Sequence, residues 1–104
     1  MEALVTRFET GTPPVMHVSG EIDIATAEQL RAELDKALSI DGGLVVDMSG
    51  VDFIDGSGLR AILSAAETLN GRGPLALVHA PMVARLLKLT GLTGLPSIEI
   101  REPE

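Results

Sequence analysis

The 104-residue sequence contains no cysteine, no tryptophan and no tyrosine, and its aromatic residues are two phenylalanines. Without cysteine the chain can form no disulfide, no thiolate nucleophile and no zinc site that uses sulfur. We therefore expect no metal, no redox chemistry and no cofactor. The cytoplasm is the default expectation for a protein that uses no disulfides.

Positive charge is scarce, because 8 Lys and Arg residues stand against 15 Asp and Glu residues and the net charge is -7 at pH 7. A phosphate backbone or an anionic membrane surface attracts clustered lysine and arginine, so we expect neither nucleic acid nor a membrane as a partner. Long apolar runs are also lacking, and the first residues do not resemble a signal peptide. We expect no membrane span and no targeting segment.

Hydrophobic residues make up 45% of the chain, which is enough to fill the core of one folded domain. Neither a linker nor a low-complexity tract nor a repeat divides the sequence. We therefore predict a single domain over residues 1–104.

Short β-branched segments alternate with segments of helical periodicity. We predict strands at residues 3–9, 15–19, 44–46, 75–79 and about 97–100, and helices at about 26–39, 57–70 and 81–91. The first two strands form a hairpin, and helices link the later strands, which must run parallel with right-handed crossovers. The expected fold is α/β, a mixed and mostly parallel sheet of about five strands with three to four helices packed against it.

Capping and stop signals mark the helix ends. Thr26 and Gln29 have the form of a capping box. Proline is tolerated in a first helical turn, where Pro81 lies, and glycines or an asparagine follow each helical segment. The predicted helix stops are Gly42 with Gly43, Asn70 with Gly71, and Gly91.

The segment VVDMSGVDFIDGSGLRAIL, residues 45–63, joins a buried strand to a helix through an acidic, glycine-rich loop. The simplest interpretation makes Ser57 the N-cap of that helix. In the functional interpretation, Gly56 and Gly58 leave room for a partner surface, and a phosphate on Ser57 would add about -1.5 to -2 charges beside Asp55, which disfavours an acidic or apolar partner surface. Arg60 lies near enough to pair with a partner carboxylate or with the phosphate.

A second acidic loop follows the motif GEID, residues 20–23. Asp23 either caps the next helix only or orders a functional loop, and Gly20 relieves a bend in the strand. Both acidic loops follow carboxyl ends of strands, the side where open α/β sheets place their sites. The loops around Asp23 and Asp55 are therefore expected to share one surface.

Three segments in order, GEID with TAEQL, VVDMSGVDFIDGSGL, and APMVARLLKLTGL, resemble the signature segments of a STAS domain of the bacterial anti-sigma factor antagonist type. The resemblance covers nearly the whole chain. It implies a STAS-like fold and a regulator without enzymatic activity, which binds an anti-sigma factor and frees a sigma factor. In this family the anti-sigma factor is also a serine kinase of the GHKL ATPase fold, whose phosphorylation of the antagonist breaks the complex, and a PP2C-type phosphatase restores it.

One position departs from the family pattern. The phosphate acceptor usually follows the loop aspartate directly, in a run such as Asp-Ser-Ser-Gly, and here that position is Gly56. Ser57 matches the second hydroxyl residue of the run. Either Ser57 is the acceptor or the protein escapes kinase control. The expected binding residues are Asp23, Asp55, Gly56, Ser57, Gly58 and Arg60.

Other functions have weaker support. A serine hydrolase would need the motif GxSxG, but Asp55 and Leu59 stand at the two outer positions, and neither His17 nor His79 is placed near Ser57 by the sequence. A phospho-aspartate receiver would need an acidic pair after the first strand and a lysine at the end of a late strand, and the sequence has neither in place. A free-standing STAS module that senses a ligand or acts as a scaffold stays open as the alternative.

Overall fold

The computed structural model describes residues 4–37, 43–69, 75–91 and 98–101. Their element order, β-β-α-β-α-β-α-β, is the predicted one. The elements are β1 (Leu4–Glu9), β2 (Val15–Ile22), α1 (Ala27–Ala37), β3 (Leu44–Ile54), α2 (Gly56–Leu69), β4 (Leu75–Val78), α3 (Pro81–Thr90) and β5 (Ile98–Arg101).

The five strands form one sheet in chain order, β1-β2-β3-β4-β5. β1 pairs antiparallel with β2, and every later pair is parallel, so the predicted mixed and mostly parallel sheet is confirmed. Because right-handed crossovers connect parallel strands that follow each other in the same direction, the helices lie on one face of the sheet. The contacts of α1 with α2 and of α2 with α3 agree with this arrangement.

The core lies between the sheet and this helical layer. On β2 and β3 the alternating residues Met16, Val18, Leu44, Val46 and Met48 are buried. They meet the buried helical residues Leu30, Leu34, Leu59, Ile62, Val83 and Leu87. The other face of the sheet carries the polar side chains of β2 and β3, among them His17 and Asp47, which are only partly exposed. The period-2 burial of β2 and β3 thus separates a buried apolar face from a partly exposed face that includes these polar side chains.

The helix-end signals that fall on described residues are confirmed for α3. Pro81 opens the helix, and Gly91 ends it in the left-handed conformation at φ 76° with its amide bonded to the carbonyls of Leu87 and Lys88. Gly43 also has a positive φ of 86°. The remaining predicted stops and the predicted first residue of the last strand lie outside the described residues: Gly42, Asn70, Gly71 and Ser97.

Two strands are longer than predicted. β2 continues to Ile22, and β3 continues to Ile54 through residues that were interpreted as a loop. The pattern is hidden because the register between β2 and β3 shifts after His17 and again after Gly20, whose φ is 102°. Such irregularities break the strict alternation that identifies a strand.

The predicted capping box at the start of α1 is wrong. The Thr26 hydroxyl donates to the Glu21 carbonyl at 2.8 Å and accepts from the Asp23 amide at 3.0 Å. The Gln29 side chain does not reach back to Thr26, since its amide donates to the Leu4 carbonyl. The bond from Gln29 to Leu4 on β1 is thus formed in place of the predicted local bond between Gln29 and Thr26.

Among the described residues, no helix has the length and apolar character needed to cross a membrane.

Candidate functional site

The two acidic loops lie side by side at the edge of the sheet that is formed by the carboxyl ends of β2 and β3. β2 and β3 are parallel neighbours, and Ile22 pairs with Ile54 at the last position of both strands. The amide of Asp55 donates to the carbonyl of Ile22 at 3.1 Å, so the two chain segments remain bonded beyond the sheet. The expectation that the loops around Asp23 and Asp55 form one surface is therefore met by the fold.

Asp23 orders the first loop. Its Oδ1 accepts hydrogen bonds from the amides of Ala25 at 2.9 Å and Thr26 at 3.2 Å. Its carbonyl accepts from the amides of Thr26 and Ala27 at 3.1 and 2.8 Å. Thr26, which is 4% exposed, holds the loop from inside through its bond to the Glu21 carbonyl. These bonds fix the entry into α1.

The N-terminus of α2 corrects the expectation that Ser57 caps the helix. The helix begins at Gly56, and Asp55 is its cap, because Asp55 Oδ1 accepts from the amides of Ser57 at 2.9 Å and Gly58 at 3.3 Å. The Asp55 carbonyl accepts the first helical bond, from Leu59 at 3.0 Å. A carboxylate at a helix N-terminus is stabilised by the helix dipole, which favours Asp55 over Ser57 as the cap.

Gly56 and Gly58, expected to have the same role, lie in opposite environments. Gly56 is exposed, and a Cβ built there would meet nothing within 4 Å. Gly58 is buried, and a Cβ there would lie 2.5 Å from Ile22 Cγ2 and 2.8 Å from Ile54 Cγ1. Gly58 therefore lets α2 approach its own sheet, which corrects its expected role in admitting a partner, whereas Gly56 is open to an approaching molecule.

Ser57 is half-buried in the first turn of α2, and within the described part of the chain its hydroxyl makes no hydrogen bond. Arg60 follows three residues later on the same side of the helix and is exposed. No carboxylate in the described ranges forms an ion pair with Arg60. The serine hydroxyl and the guanidinium group are therefore both available to another molecule.

Two exposed apolar residues at this edge were missed by the sequence analysis. Ile24, directly after Asp23, is 81% exposed, and Phe53, two residues before Asp55, is 48% exposed. Their signal was present in the sequence as an isoleucine in an acidic turn and an aromatic residue beside the loop. Neither could be recognised as a contact residue, because the exposure of a single side chain cannot be inferred from the sequence. The edge thus combines acidic groups with apolar contact area.

The arrangement is suited to binding rather than to capture of a free anion. The Asp55 carboxylate already occupies the amides of Ser57 and Gly58, where a phosphate or carboxylate ligand would bind at a bare helix N-terminus. Its negative charge would also repel such a ligand. A surface of this kind attracts a partner with basic and apolar groups.

A general base for Ser57 is not supplied by His17, because both of its ring nitrogens are engaged elsewhere. Nδ1 lies 2.9 Å from Asp47 Oδ2, and Nε2 lies 2.8 Å from Glu9 Oε1. His17 is therefore bonded within the sheet and not to Ser57. Over the described ranges, no group of three or more His, Asp and Glu side chains has an arrangement that could hold a metal ion.

Comparison with known proteins identifies related sequences. A family profile described as "Mlab, STAS domain" matches residues 5–99. An anti-sigma F factor antagonist of Paenibacillus polymyxa is 32% identical over 82 residues, which are 75% of this chain and 70% of the relative. A Mycobacterium tuberculosis protein described as an anti-anti-sigma factor is 34% identical over 89 residues, 81% of this chain. The chain spans only 60% of the length of that second relative.

A solved structure is also similar. The crystal structure of an anti-sigma factor antagonist from Mycobacterium paratuberculosis superposes with a TM-score of 0.78 at 30% identity. The match covers 93% of this chain and 86% of the other. The sheet and the helical layer therefore form an architecture that is shared with this solved structure.

Proposed function

The chain belongs to the STAS domain family, in its group of anti-sigma factor antagonists, and from this membership we propose that it binds an anti-sigma factor and thereby releases a sigma factor. The observation that carries the proposal is the shared edge at which the Asp23 and Asp55 loops meet beside Ser57. The relatives are named as regulators, and we propose that this chain likewise acts by binding, without catalysis, in the cytoplasm.

The proposed contact surface consists of Asp23, Ile24, Asp55, Gly56, Ser57 and Arg60. Exposed Ile24 supplies apolar area that a partner would cover, and burial of such a side chain contributes about 1.5–3 kcal/mol. Gly56 lets the partner approach the helix start closely, since nothing of this chain fills the space before it. The acidic charge of the chain suits a partner whose contact surface is basic.

Ser57 is the proposed phosphate acceptor and off-switch. A phosphate there would add about -1.5 to -2 charges close to the Asp55 carboxylate. The amides of Ser57 and Gly58 already donate hydrogen bonds to the Asp55 carboxylate. The phosphate would therefore lack those donors and would extend toward the partner. Pushed outward by the Asp55 carboxylate, the phosphate would occupy the open space beside Gly56 that the partner needs, and this loss of fit would weaken the complex. Gly56, at the position where the family pattern has its usual acceptor, leaves Ser57 as the hydroxyl in this turn.

The proposed partners follow from the family. The anti-sigma factor would be a serine kinase of the GHKL fold, and a PP2C-type phosphatase would restore the unmodified serine. Nucleic acid and membrane lipids are not proposed as partners, because the net charge of -7 disfavours anionic surfaces.

The proposal is tested by affinity capture from native lysate with the tagged full chain, with and without ATP, followed by mass spectrometry. We expect capture of a GHKL-type ATPase, its release with ATP, and a phosphate mapped to Ser57. Capture of that ATPase with an unmodified Ser57 would keep the antagonist role and reject the switch. Absence of any such ATPase would reject the antagonist role and favour the ligand-sensing or scaffold module.

Two matched variants locate the contact. Ile24→Ser and Leu89→Ser each remove one highly exposed apolar side chain, 81% and 76% exposed in the folded chain. Leu89 lies near the C-terminal end of α3, away from the strand ends that carry the acidic loops. Only Ile24→Ser is expected to reduce capture of the ATPase. Equal loss with both variants would contradict the proposed surface.

A further inference from the structure

Three titratable side chains form a chain of hydrogen bonds across three strands, on the sheet face opposite the helices. His17 on β2 is the centre, with Nε2 2.8 Å from Glu9 Oε1 on β1 and Nδ1 2.9 Å from Asp47 Oδ2 on β3. Glu9 and Asp47 are not neighbours in the sheet, so the imidazole ring is their only link in this chain of bonds. The cluster joins the edge strand to the centre of the sheet.

The two distances bear on the protonation state of the His17 imidazole ring. A neutral imidazole has one N–H donor and one acceptor nitrogen, whereas an imidazolium ion donates from both nitrogens. Carboxylates accept hydrogen bonds and do not donate them when ionised. Both distances can therefore be hydrogen bonds to ionised carboxylates only when His17 is protonated.

The charged groups that face His17 favour this form on balance. The hydrogen bond to Glu9, followed by that to Asp47, raises the pKa of His17, while partial burial and the positive charge of Arg7 on β1 oppose the rise. The hydrogen bond from His17 lowers the pKa of Glu9. Partial burial raises the pKa of Asp47, but the bonds from the Ser49 amide and from His17 outweigh it and lower that pKa.

Asp47 also connects the cluster to an irregular part of the sheet. Its Oδ1 accepts the amide of Ser49 at 3.0 Å, directly where the register of β2 and β3 shifts after His17. Glu9 is the last residue of β1, before the turn that leads to β2. The two ends of the cluster thus hold the end of the edge strand and the start of the bulged part of β3.

We propose that Glu9, His17 and Asp47 form a proton-dependent clasp that fastens the end of β1 to β3 and orders the β3 bulge at Ser49. The clasp is closed when the imidazole is protonated and both carboxylates are ionised. It is independent of the proposed anti-sigma factor and requires no ligand.

The direction of the pH dependence follows from linkage. The pKa of His17 is raised in the folded state above about 6.5, its ordinary value, so the stabilisation is fully present below that value. It is lost as the pH rises through the folded pKa. The carboxylates act in the opposite direction, since their pKa values are lowered and their contribution is lost in acid as they become protonated.

The first test is an NMR titration of the imidazole ¹⁵N resonances in the full chain, with Glu9→Gln and Asp47→Asn as variants. We expect His17 to titrate with a midpoint above its ordinary value, with both ring nitrogens protonated below that midpoint, and we expect each variant to shift the midpoint downward. His79→Asn removes the chain's only other imidazole and assigns the signals. A His17 midpoint below the ordinary value, or one that neither variant moves, would overturn the proposal.

The second test follows the consequence for the fold. Amide exchange at the end of β1 and at Ser49, corrected for intrinsic rates, is expected to accelerate as the pH rises through the His17 midpoint. His17→Gln should remove this acceleration, and His79→Asn should keep it. If exchange accelerates equally in the wild type and in His17→Gln, the clasp does not exist. The titration of the wild-type chain decides the question even if His17→Gln fails to fold.

Discussion

The β2–α1 and β3–α2 connections occupy the same edge of the sheet, and each begins with an aspartate that accepts backbone amides. They differ in what secures them. The first is closed by a buried polar side chain, Thr26, which bonds to the Glu21 carbonyl. The second is secured by the missing side chain of Gly58, which allows α2 to pack directly on Ile22 and Ile54.

The difference explains why only one of the two loops presents a candidate modification site. In the first loop the hydroxyl of Thr26 is buried and is already bonded to the protein. In the second, packing at Gly58 anchors the helix, and the preceding Ser57 hydroxyl is left unused within the described residues. An anchor that needs no polar group leaves the polar group free for function.

Gly58→Ala should have the largest effect on stability, because the new Cβ would lie 2.5 Å from Ile22 Cγ2 and 2.8 Å from Ile54 Cγ1. We expect a loss of up to about 3 kcal/mol in the free energy of unfolding by urea denaturation. Gly56→Ala is the matched control, and its open site predicts no loss or a gain of up to about 1 kcal/mol. Equal stabilities of the two variants would remove packing as the anchor of α2.

Thr26→Val should come next, because it removes the hydroxyl bonded to the Glu21 carbonyl and the Asp23 amide while nearly keeping the side-chain volume. We expect a loss of about 2 kcal/mol in urea unfolding, with partial recovery in Thr26→Ser. Thr90→Val is the control, since the Thr90 hydroxyl bonds to the Leu86 carbonyl at an exposed helix end. A cost below that of Thr90→Val would show that the first loop does not depend on Thr26.

Asp55→Ala should lower stability by about 1 kcal/mol through loss of the α2 cap. Asp23→Ala should cost less, because Thr26 still closes the first loop from inside. Thermal and urea unfolding measure both, with Asp52→Ala, an exposed position on β3, as the control. A larger loss of stability in Asp23→Ala than in Asp55→Ala would contradict the proposal that Thr26 secures the first loop without Asp23.

Ser57→Ala should have the smallest effect, within about 0.5 kcal/mol in the same unfolding experiments, since Asp55 rather than Ser57 caps the helix. A loss comparable with that of Asp55→Ala would show that the hydroxyl stabilises the helix start. Such a result would restore a structural reason for the serine.

Much of the fold could be predicted because the hydrophobic periodicity of the segments agrees with the turn and helix-end residues between them. The alternation around Met16 and Val18 and the glycine at position 91 placed strands and helix ends close to where they lie. Residues 47–54 were misassigned, because the register shifts of β2 and β3 remove the alternation that identifies a strand. The extent of the single domain over residues 1–104 stays a prediction.

The site was less predictable, because its details depend on contacts between residues far apart in the sequence. The motif DGSG correctly predicts a helix start, but the prediction that Ser57 is its cap is wrong, because Asp55 accepts the free amides of the first turn. The buried position of Gly58 depends on Ile22, which is 36 positions away in the sequence. The bond between His17 and Asp47 spans 30 positions and has no local signal.

The most direct test of the central claim is titration calorimetry of the captured anti-sigma factor with the wild-type chain, Ser57→Ala and Ser57→Asp. We expect Ser57→Ala to bind within about threefold of wild type and Ser57→Asp to bind at least about tenfold more weakly, a difference of about 1.4 kcal/mol. Ser57→Ala is the matched control, because it removes the hydroxyl without adding charge. Equal affinities of the two variants would contradict the claim that Ser57 lies in the contact surface and controls binding.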